Sequence, residues 1–499
     1  MRQTLHIFRK DIRHLRYEIA AALLIAAAFA FAGARRARDF SEPGANQGFA
    51  WGLLLFLLPL AWWILIARVV HDEPLPGDRQ FWVTRPYAWK SLLGAKALFI
   101  AVFVHLPLLV ADAVIIQAYG FSPIHQLTGL LWTQVLLAAA FVLPVAALST
   151  LTAGLLQLVL TSLAFSIAVL LYNLSAPLLH RYAFWPELEW MRIYSALLLV
   201  VAASVPIIVW QYARRKTTST RTIGVAATLL VLFGVPALPW TTAFAIQSRL
   251  PSKRVDLSSI QIAFDSNRKW AARALFQGKD QVRIELPLEI TGIPSGTEVK
   301  PDGLTVNIEA AGVRSWRADR TPWTYFENEW NATSLDTAVD TGWYRQIRNE
   351  PVTFRGSLYL TLYGDGRTTV IPFQSRSVLV PNVGLCSAGP GPGMGNGAVF
   401  CSSGFRPRRD LISFSFIPAV QDGSRTRTGQ SRLEFLSYSP FPAGLSLEPV
   451  TQFFSFNTEP GAFAGAAVQT LEPLAHIRRE FEIRDIRLRD FEVRLTPIH

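Results

Sequence analysis

Three groups of residues in this sequence have the means to do chemistry or to hold another molecule. Residues 72–96, DEPLPGDRQFWVTRPYAWKSLLGAK, crowd charge, proline and large aromatics between two long apolar runs. Hydrocarbon cannot host those charges, and so short a loop folds no core of its own. It is either an anchored connector or the handle by which a second protein grips this one. Asp112 is the exception among apolar runs otherwise nearly free of charge, with His105 and Gln117 on roughly neighbouring faces of the same predicted helix. Such a carboxylate handles substrate or protons, or, lying about 10 Å from the outer end of its helix, reaches the headgroups. Cys386 and Cys401 are the only cysteines, and they flank a Gly/Pro-rich loop.

Other chemistry is excluded. No G-x-x-x-x-G-K-[ST] phosphate loop occurs, and GPGPGMGNG (389–397) has no Lys and opens no helix. The chain binds no cofactor directly, so any ATP it depends on belongs to a separate chain. Cys386 and Cys401 pair as a disulfide if their domain faces an oxidising compartment, which stabilises by roughly 3 kcal/mol for a loop of this length. A metal pair is the alternative, but no histidine lies nearby. Beyond residue 250 the only histidines are His476 and His499, which counts against a Ser–His–Asp hydrolase. Residues 316–345 interleave aromatics with Glu327, Glu329, Asp336 and Asp340. Sugar-binding surfaces and glycosidases use such residues, core packing and solvated loops use the same ones, and no catalytic pair stands out. The chain does not read as an enzyme.

The elements that position these residues fall into two halves. With 51% hydrophobic residues, the chain is too apolar for an ordinary soluble protein of 499 residues. A bilayer core needs about 20 apolar residues per helix, and seven runs qualify: 17–34, 49–70, 95–119, 129–149, 152–173, 193–212 and 222–246. Ser149–Thr150 with Thr152–Gly154 supply the tight turn between the fourth and fifth. Residues 1–16 place Leu5, Phe8, Ile12, Leu15 and, just beyond, Ile19 at helical spacing among basic residues, an amphipathic helix at the membrane surface. The small residues 32–34 after an apolar run also resemble a signal-peptide cleavage site; a retained first span is the preferred reading.

Basic residues orient the spans. With the N-terminus cytoplasmic, inner loops hold 14 Lys and Arg and outer loops 5, with RRAR at 35–38 the dissonant stretch. The same excess (19 basic against 10 acidic residues in 1–247) removes any need to invoke nucleic acid for a basic chain. Residues 248–499 then lie outside. Alternation in QVRIELPLEI (281–290), GSLYLTLYG (356–364), LISFSFIP (411–418) and REFEIRDIRLRDFEVRL (479–495), with KPDG and YGDG as turns, predicts one or two sandwich-like β units. The expected fold is a polytopic α-helical membrane domain of about seven transmembrane helices followed by a β-rich, sandwich-like extracytoplasmic domain.

The loop after the second span, an acidic–Pro–Gly start followed by FWVTRPYAWKSLLGAK, together with the basic N-terminal helix LHIFRKDIRHLR, resembles the membrane (permease) subunits of type 2 ABC transporters over about residues 1–215. The resemblance implies that loop 71–94 is a coupling element docking on a separate ATPase subunit through Gly77, Asp78, Phe81, Trp82, Arg85, Pro86 and Lys90. It also implies a second permease copy, identical or not, and an inner-membrane exporter. Aromatics beside arginine are enriched at protein–protein hot spots, and Arg85 before Pro86 ends any helix there. Phe81, Trp82 and Trp89 fit an interfacial aromatic belt equally by type, and Lys96 is expected to snorkel to the inner interface. A seventh span and a large outer domain depart from the family's six-span core. The alternative reading is a membrane-anchored binding or sensor protein whose β domain does the work.

Overall fold

The computed structural model describes residues 2–38, 45–73, 88–179, 190–249, 257–266, 281–318, 332–374, 377–381, 383–390, 397–404, 411–418, 447, 449–456 and 463–493. A helical N-terminal part precedes a β-rich domain. The helices are α1 (Arg2–His14), α2 (Arg16–Arg38), α3 (Ala45–His71), α4 (Trp89–Ile100), α5 (Leu106–Ala118), α6 (Leu127–Leu137), α7 (Leu143–Leu151), α8 (Leu155–Leu179), α9 (Trp190–Arg214), α10 (Thr217–Leu229) and α11 (Trp240–Gln247). α4 continues into α5, and α6 into α7, through single π-helical turns at Ala101–His105 and Ala138–Val142.

Each π-turn ends two residues before a proline. Pro107 and Pro144 lack the N–H that an α-helix needs, and their rings crowd the preceding turn. Widening that turn lets Leu106 N–H reach Ala101 O and Leu143 N–H reach Ala138 O, and the helix runs on. A third π-turn, Leu230–Gly234, precedes Pro236, where Val235 N–H bonds Leu230 O at 3.0 Å. There Pro236 and Pro239 end the helix, so residues 222–246 are not one continuous helix.

Among the described residues, five helices are long and apolar enough to cross a membrane: Arg16–Ala37, Phe49–His71, Trp89–Ala118, Leu127–Leu151 and Met191–Arg214. Leu155–Leu171 of α8 is a shorter apolar helix among the described residues. The tight turn between α7 and α8 is Thr152–Gly154, with Ser149 and Thr150 inside α7. Gly33 sits where α2 crosses α5, and a Cβ there would come within 2.6–2.8 Å of the Ile115 side chain. The small residues at 32–34 thus serve close packing within a continuous helix.

The β domain consists of β1 (Gln261–Phe264), β2 (Gln281–Thr291), β3 (Glu298–Ala310), β4 (Val313–Ala318), β5 (Ala332–Asp340), β6 (Pro351–Pro372), β7 (Val378–Val380), β8 (Gly384–Pro390), β9 (Gly397–Gly404), β10 (Leu411–Pro418), β11 (Val450–Phe456) and β12 (Phe463–Arg487), with helix α12 (Thr341–Ile347) after β5. They form three antiparallel sheets, ordered β1-β2-β5, β10-β12-β6-β3-β4 and β11-β9-β8-β7. β6 and β12 run through two successive sandwiches. One core packs Ile284, Leu286, Val306, Phe354, Leu360 and Ile483 between the first two sheets. The other packs Ile371, Val399, Phe414, Phe416 and Val468 against the four-stranded sheet.

Two expected turns are strand instead. KPDG lies inside β3, whose ladder to β6 slips between Pro301 and Gly303, and YGDG lies inside β6, opposite shifts at Thr470/Glu472 and Pro473/Ala475. Long partner strands on both sides hold these polar stretches extended, and the irregularities absorb Pro301 and Pro473.

The two parts meet at one end of the helices. Trp240 and Phe244 of α11 pack edge-on against Tyr359 of β6, with Met191 of α9. Ile116 and Leu130 pack with Val450 of β11.

Candidate functional site

At the opposite end of the helices, α1 lies against both stems of the loop 74–87. α1 is amphipathic, but its inward face is not wholly apolar. Asp11 falls one turn after Ile7 and one turn before Leu15, so the helix buries a carboxylate in the middle of its packing stripe. α3 delivers Asp72 and Glu73 just past its last turn, and α4 delivers Lys96 two turns in.

These side chains form one ion cluster. Lys96 Nζ donates to Asp11 Oδ2 at 2.9 Å and lies 3.6 Å from Glu73 Oε2. Lys10 Nζ reaches Asp72 Oδ2 at 2.8 Å, Glu73 Oε1 at 2.9 Å and Asp11 Oδ1 at 3.5 Å. His14 Nε2 stands 3.3 Å from Asp72 Oδ1, and Arg68 Nε 3.4 Å from Glu18 Oε1. Lys96 and Asp11 are sealed, with side chains 3% and 0% exposed. Lys96 therefore does not snorkel. A carboxylate on α1 meets it, and turning the ammonium outward would leave Asp11 buried beside fewer cations.

Two lysines face three carboxylates, with the His14 ring at the edge of the cluster. Burial pushes the Asp11 carboxyl up, and Lys96 and Lys10 offset only part of that. For Asp72 burial pushes the same way, but the hydrogen bond and charge of Lys10 outweigh it and hold the carboxyl below its ordinary value. Burial pulls the Lys10 ammonium down, whereas Asp72 and Glu73 raise it further, for a net rise. A cluster of this kind stabilises only as a complete set, because removing one partner strands a desolvated charge. Mechanically it is a staple: α1 cannot leave without exposing Asp11, and moving either stem away from α1 breaks ion pairs.

A second polar layer adjoins it. Gln211 of α9 donates to Thr150 O at 3.2 Å and to Thr217 Oγ1 at 3.1 Å, and Arg221 Nη2 donates to Leu151 O at 3.1 Å. His71 Nε2 lies 3.0 Å from Thr152 Oγ1. The last carbonyls of α7 are thus capped by side chains of α9 and α10.

Of the residues singled out in the loop, Gly77, Asp78, Phe81, Trp82, Arg85 and Pro86 lie outside the described residues. Lys90 is exposed at the start of α4, its ammonium 5.7 Å from the Trp89 ring centroid. Asp112 does not reach the headgroups. It is 1% exposed within the helix packing, and among the described residues neither carboxylate oxygen has a hydrogen-bond partner. His105 turns to another helix, where its Nδ1 lies 3.0 Å from Gln134 Oε1, and Gln117 is exposed.

In the β domain Cys386 and Cys401 form a disulfide between directly paired residues of β8 and β9, both fully buried. No cluster of three or more His, Cys, Asp or Glu suited to a metal occurs among the described residues. Glu327 and Glu329 lie outside them. Asp340 caps α12, accepting from Trp343 N–H at 2.8 Å, while the Trp343 ring lies tilted against Trp316 at 5.5 Å and donates to Arg314 O. Asp336 is in β5, paired with Glu285 of β2. Asp340, Trp316, Trp343 and Tyr344 of this stretch serve packing and capping.

One polar group escaped sequence reasoning. On the face of β6 turned toward α11, Thr361 pairs in register with Lys300 of β3 and His476 of β12. Thr361 donates its hydroxyl proton to Asp302, and His476 Nδ1 lies 2.7 Å from the same Oγ1. Phe244 covers the imidazole edge-on.

Comparison of the chain with protein-family models, with curated proteins and with solved structures returned no match.

Proposed function

We propose that the chain is the membrane subunit of a type 2 ABC transporter, an exporter whose ATPase is a separate protein docking on residues 72–96. The observation that carries this reading is the staple itself. Lys10 and Lys96 join α1 to Asp72 and Glu73 on one side of the loop and to α4 on the other. Force applied to the loop by a partner would pass into α1, α3 and α4 together, which is what a coupling element requires. A mere connector has little use for a five-charge cluster at its stems with the Lys96–Asp11 pair sealed at its centre.

The finer topology belongs to the same proposal. α8 leaves the ion-cluster end after Thr152–Gly154, and α9 starts beside Trp240 at the β-domain end. Residues 217–247 run from Gln211 to Tyr359, again between the two ends. Adding these two passes to the five long apolar helices supports seven crossings, with an inside N-terminus and residues 248–499 outside the cytoplasmic membrane. The buried disulfide suits that oxidising side. A second permease copy completes the pathway, and ATP acts only through the partner subunit.

A second reading, a membrane-anchored binding or sensor protein, draws on buried Lys300, Asp302 and Thr361 with half-buried His476 where the β domain meets the helices. Function retained after deletion of 248–499 would remove it. The test of the main reading is co-purification of the full chain from mild detergent. An ATPase should accompany it and be lost from the Trp82→Ala, Arg85→Ala variant. A folded chain that brings down no ATPase would leave the loop an interfacial anchor.

A further inference from the structure

α1 shows four distinct faces in rotational order, counting about 100° per residue. Ile7 and Asp11 face the protein. Next come Phe8, Ile12 and Leu5, then Arg9, Arg2, Arg13 and His6, and finally Lys10 and His14, which meet Asp72. Phe8 fixes the direction of the second face. Its ring stacks on Phe103 at 6.2 Å and sits edge-on to Phe99 at 6.5 Å, and Phe103 lies about 10 Å further along the helix than Lys96, toward the membrane interior. Leu5 on that flank is exposed, as a lipid-facing residue would be. The arginine face therefore lies between a flank turned to hydrocarbon and a flank turned to water, at the depth of the headgroups.

The cations of that face are also unspent. Lys10, one step away, is held by carboxylates, but among the described residues Arg2, Arg9 and Arg13 have no ion-pair partner. Arg16 continues the row at the start of α2, with its guanidinium on Tyr17. Exposed guanidiniums aligned at headgroup depth on a helix leading into an apolar span meet the chemistry of lipid phosphate.

We infer that the outer face of α1 is a binding site for anionic phospholipid headgroups, through Arg2, Arg9 and Arg13. Because the opposite face of α1 carries Asp11, bound lipid would hold the staple against the loop stems. The site rests on the membrane placement of the helices and not on the permease reading.

The test uses the full chain in mild detergent, incubated with equal amounts of phosphatidylglycerol and phosphatidylcholine, and mass spectrometry of the lipid retained after gel filtration. The wild type should retain phosphatidylglycerol preferentially. Arg9→Gln with Arg13→Gln should lower that preference by up to roughly 30-fold, about fivefold per cation at an anionic surface. Arg214→Gln with Lys216→Gln, exposed cations at the same end of the helices, should leave it unchanged. Both variants change exposed residues, and an unshifted melting transition confirms that each is folded. An unchanged ratio in the Arg9, Arg13 variant overturns the proposal. So does displacement of the lipid by soluble glycerol phosphate, which would mark a general phosphate site.

Discussion

Lys96 Nζ lies 2.9 Å from Asp11 Oδ2, with both side chains closed off from solvent and 85 residues apart in sequence. This pair turns an N-terminal amphipathic helix into a part of the loop's foundation. Lys96→Met strands the Asp11 carboxylate and should cost about 3–5 kcal/mol, whereas Lys96→Met with Asp11→Leu should recover most of it. Thermal unfolding of the purified chain in detergent reads both. A double variant no more stable than the single would mean that the pair does not act as a unit.

The cluster also sets a pH window for α1. The depressed pKa of Asp72 means that its contribution is present above the ordinary 3.8 and is lost as pH falls through its lower folded value. Lys10, raised, contributes fully below 10.5 and loses that contribution as pH rises through its higher folded value. Asp11, also raised, works in the other sense on the acid side, because its ionisation is resisted by burial and acidification relieves that before Asp72 is touched. Docking of α1 should therefore persist from neutral pH down to about pH 4 and weaken progressively as pH falls from there through the depressed Asp72 value. Spin labels at His6→Cys and Lys90→Cys would report the distance, since Cys386 and Cys401 are bonded to each other. Separation at pH 6 would contradict this ordering.

Gly303 marks the seam between the two parts. A Cβ there would come within 2.6–2.7 Å of the Trp240 indole, a rigid ring already packed on Tyr359. Gly303→Val should push Trp240 off the sheet, cost about 1–3 kcal/mol and raise protease access at residues 248–257. Gly296→Ala makes the comparison at a site with open space, where only its positive φ is at stake.

Asp112 separates structural from functional cost. With no partner for either oxygen among the described residues, Asp112→Leu should raise stability by about 1–3 kcal/mol, the usual penalty of an unsatisfied buried polar group. Gained stability with lost transport would assign Asp112 a working role. Lost stability would reveal a partner that holds it.

Much of this architecture could be read from residue types. Apolar runs located the long helices because a spanning length of uniform side chains has few other uses, and QVRIELPLEI and LISFSFIP alternate as their strands do. KPDG and YGDG misled because Gly and Pro mark turns only when no long partner strand holds them extended. The staple was half legible: Asp11 on an apolar stripe is a signal, but its partner Lys96 is far away in sequence. The Asp302–Thr361–His476 group left no signal, because three strands bring it together and no local pattern encodes their register.

Replacing Trp82 by a photo-crosslinking phenylalanine analogue in the full chain, in cells, would locate what the loop touches. Irradiation should yield an adduct with a soluble ATPase, and Arg85→Ala should abolish it. Adducts with lipid alone, from protein correctly folded in the membrane, would contradict the coupling role.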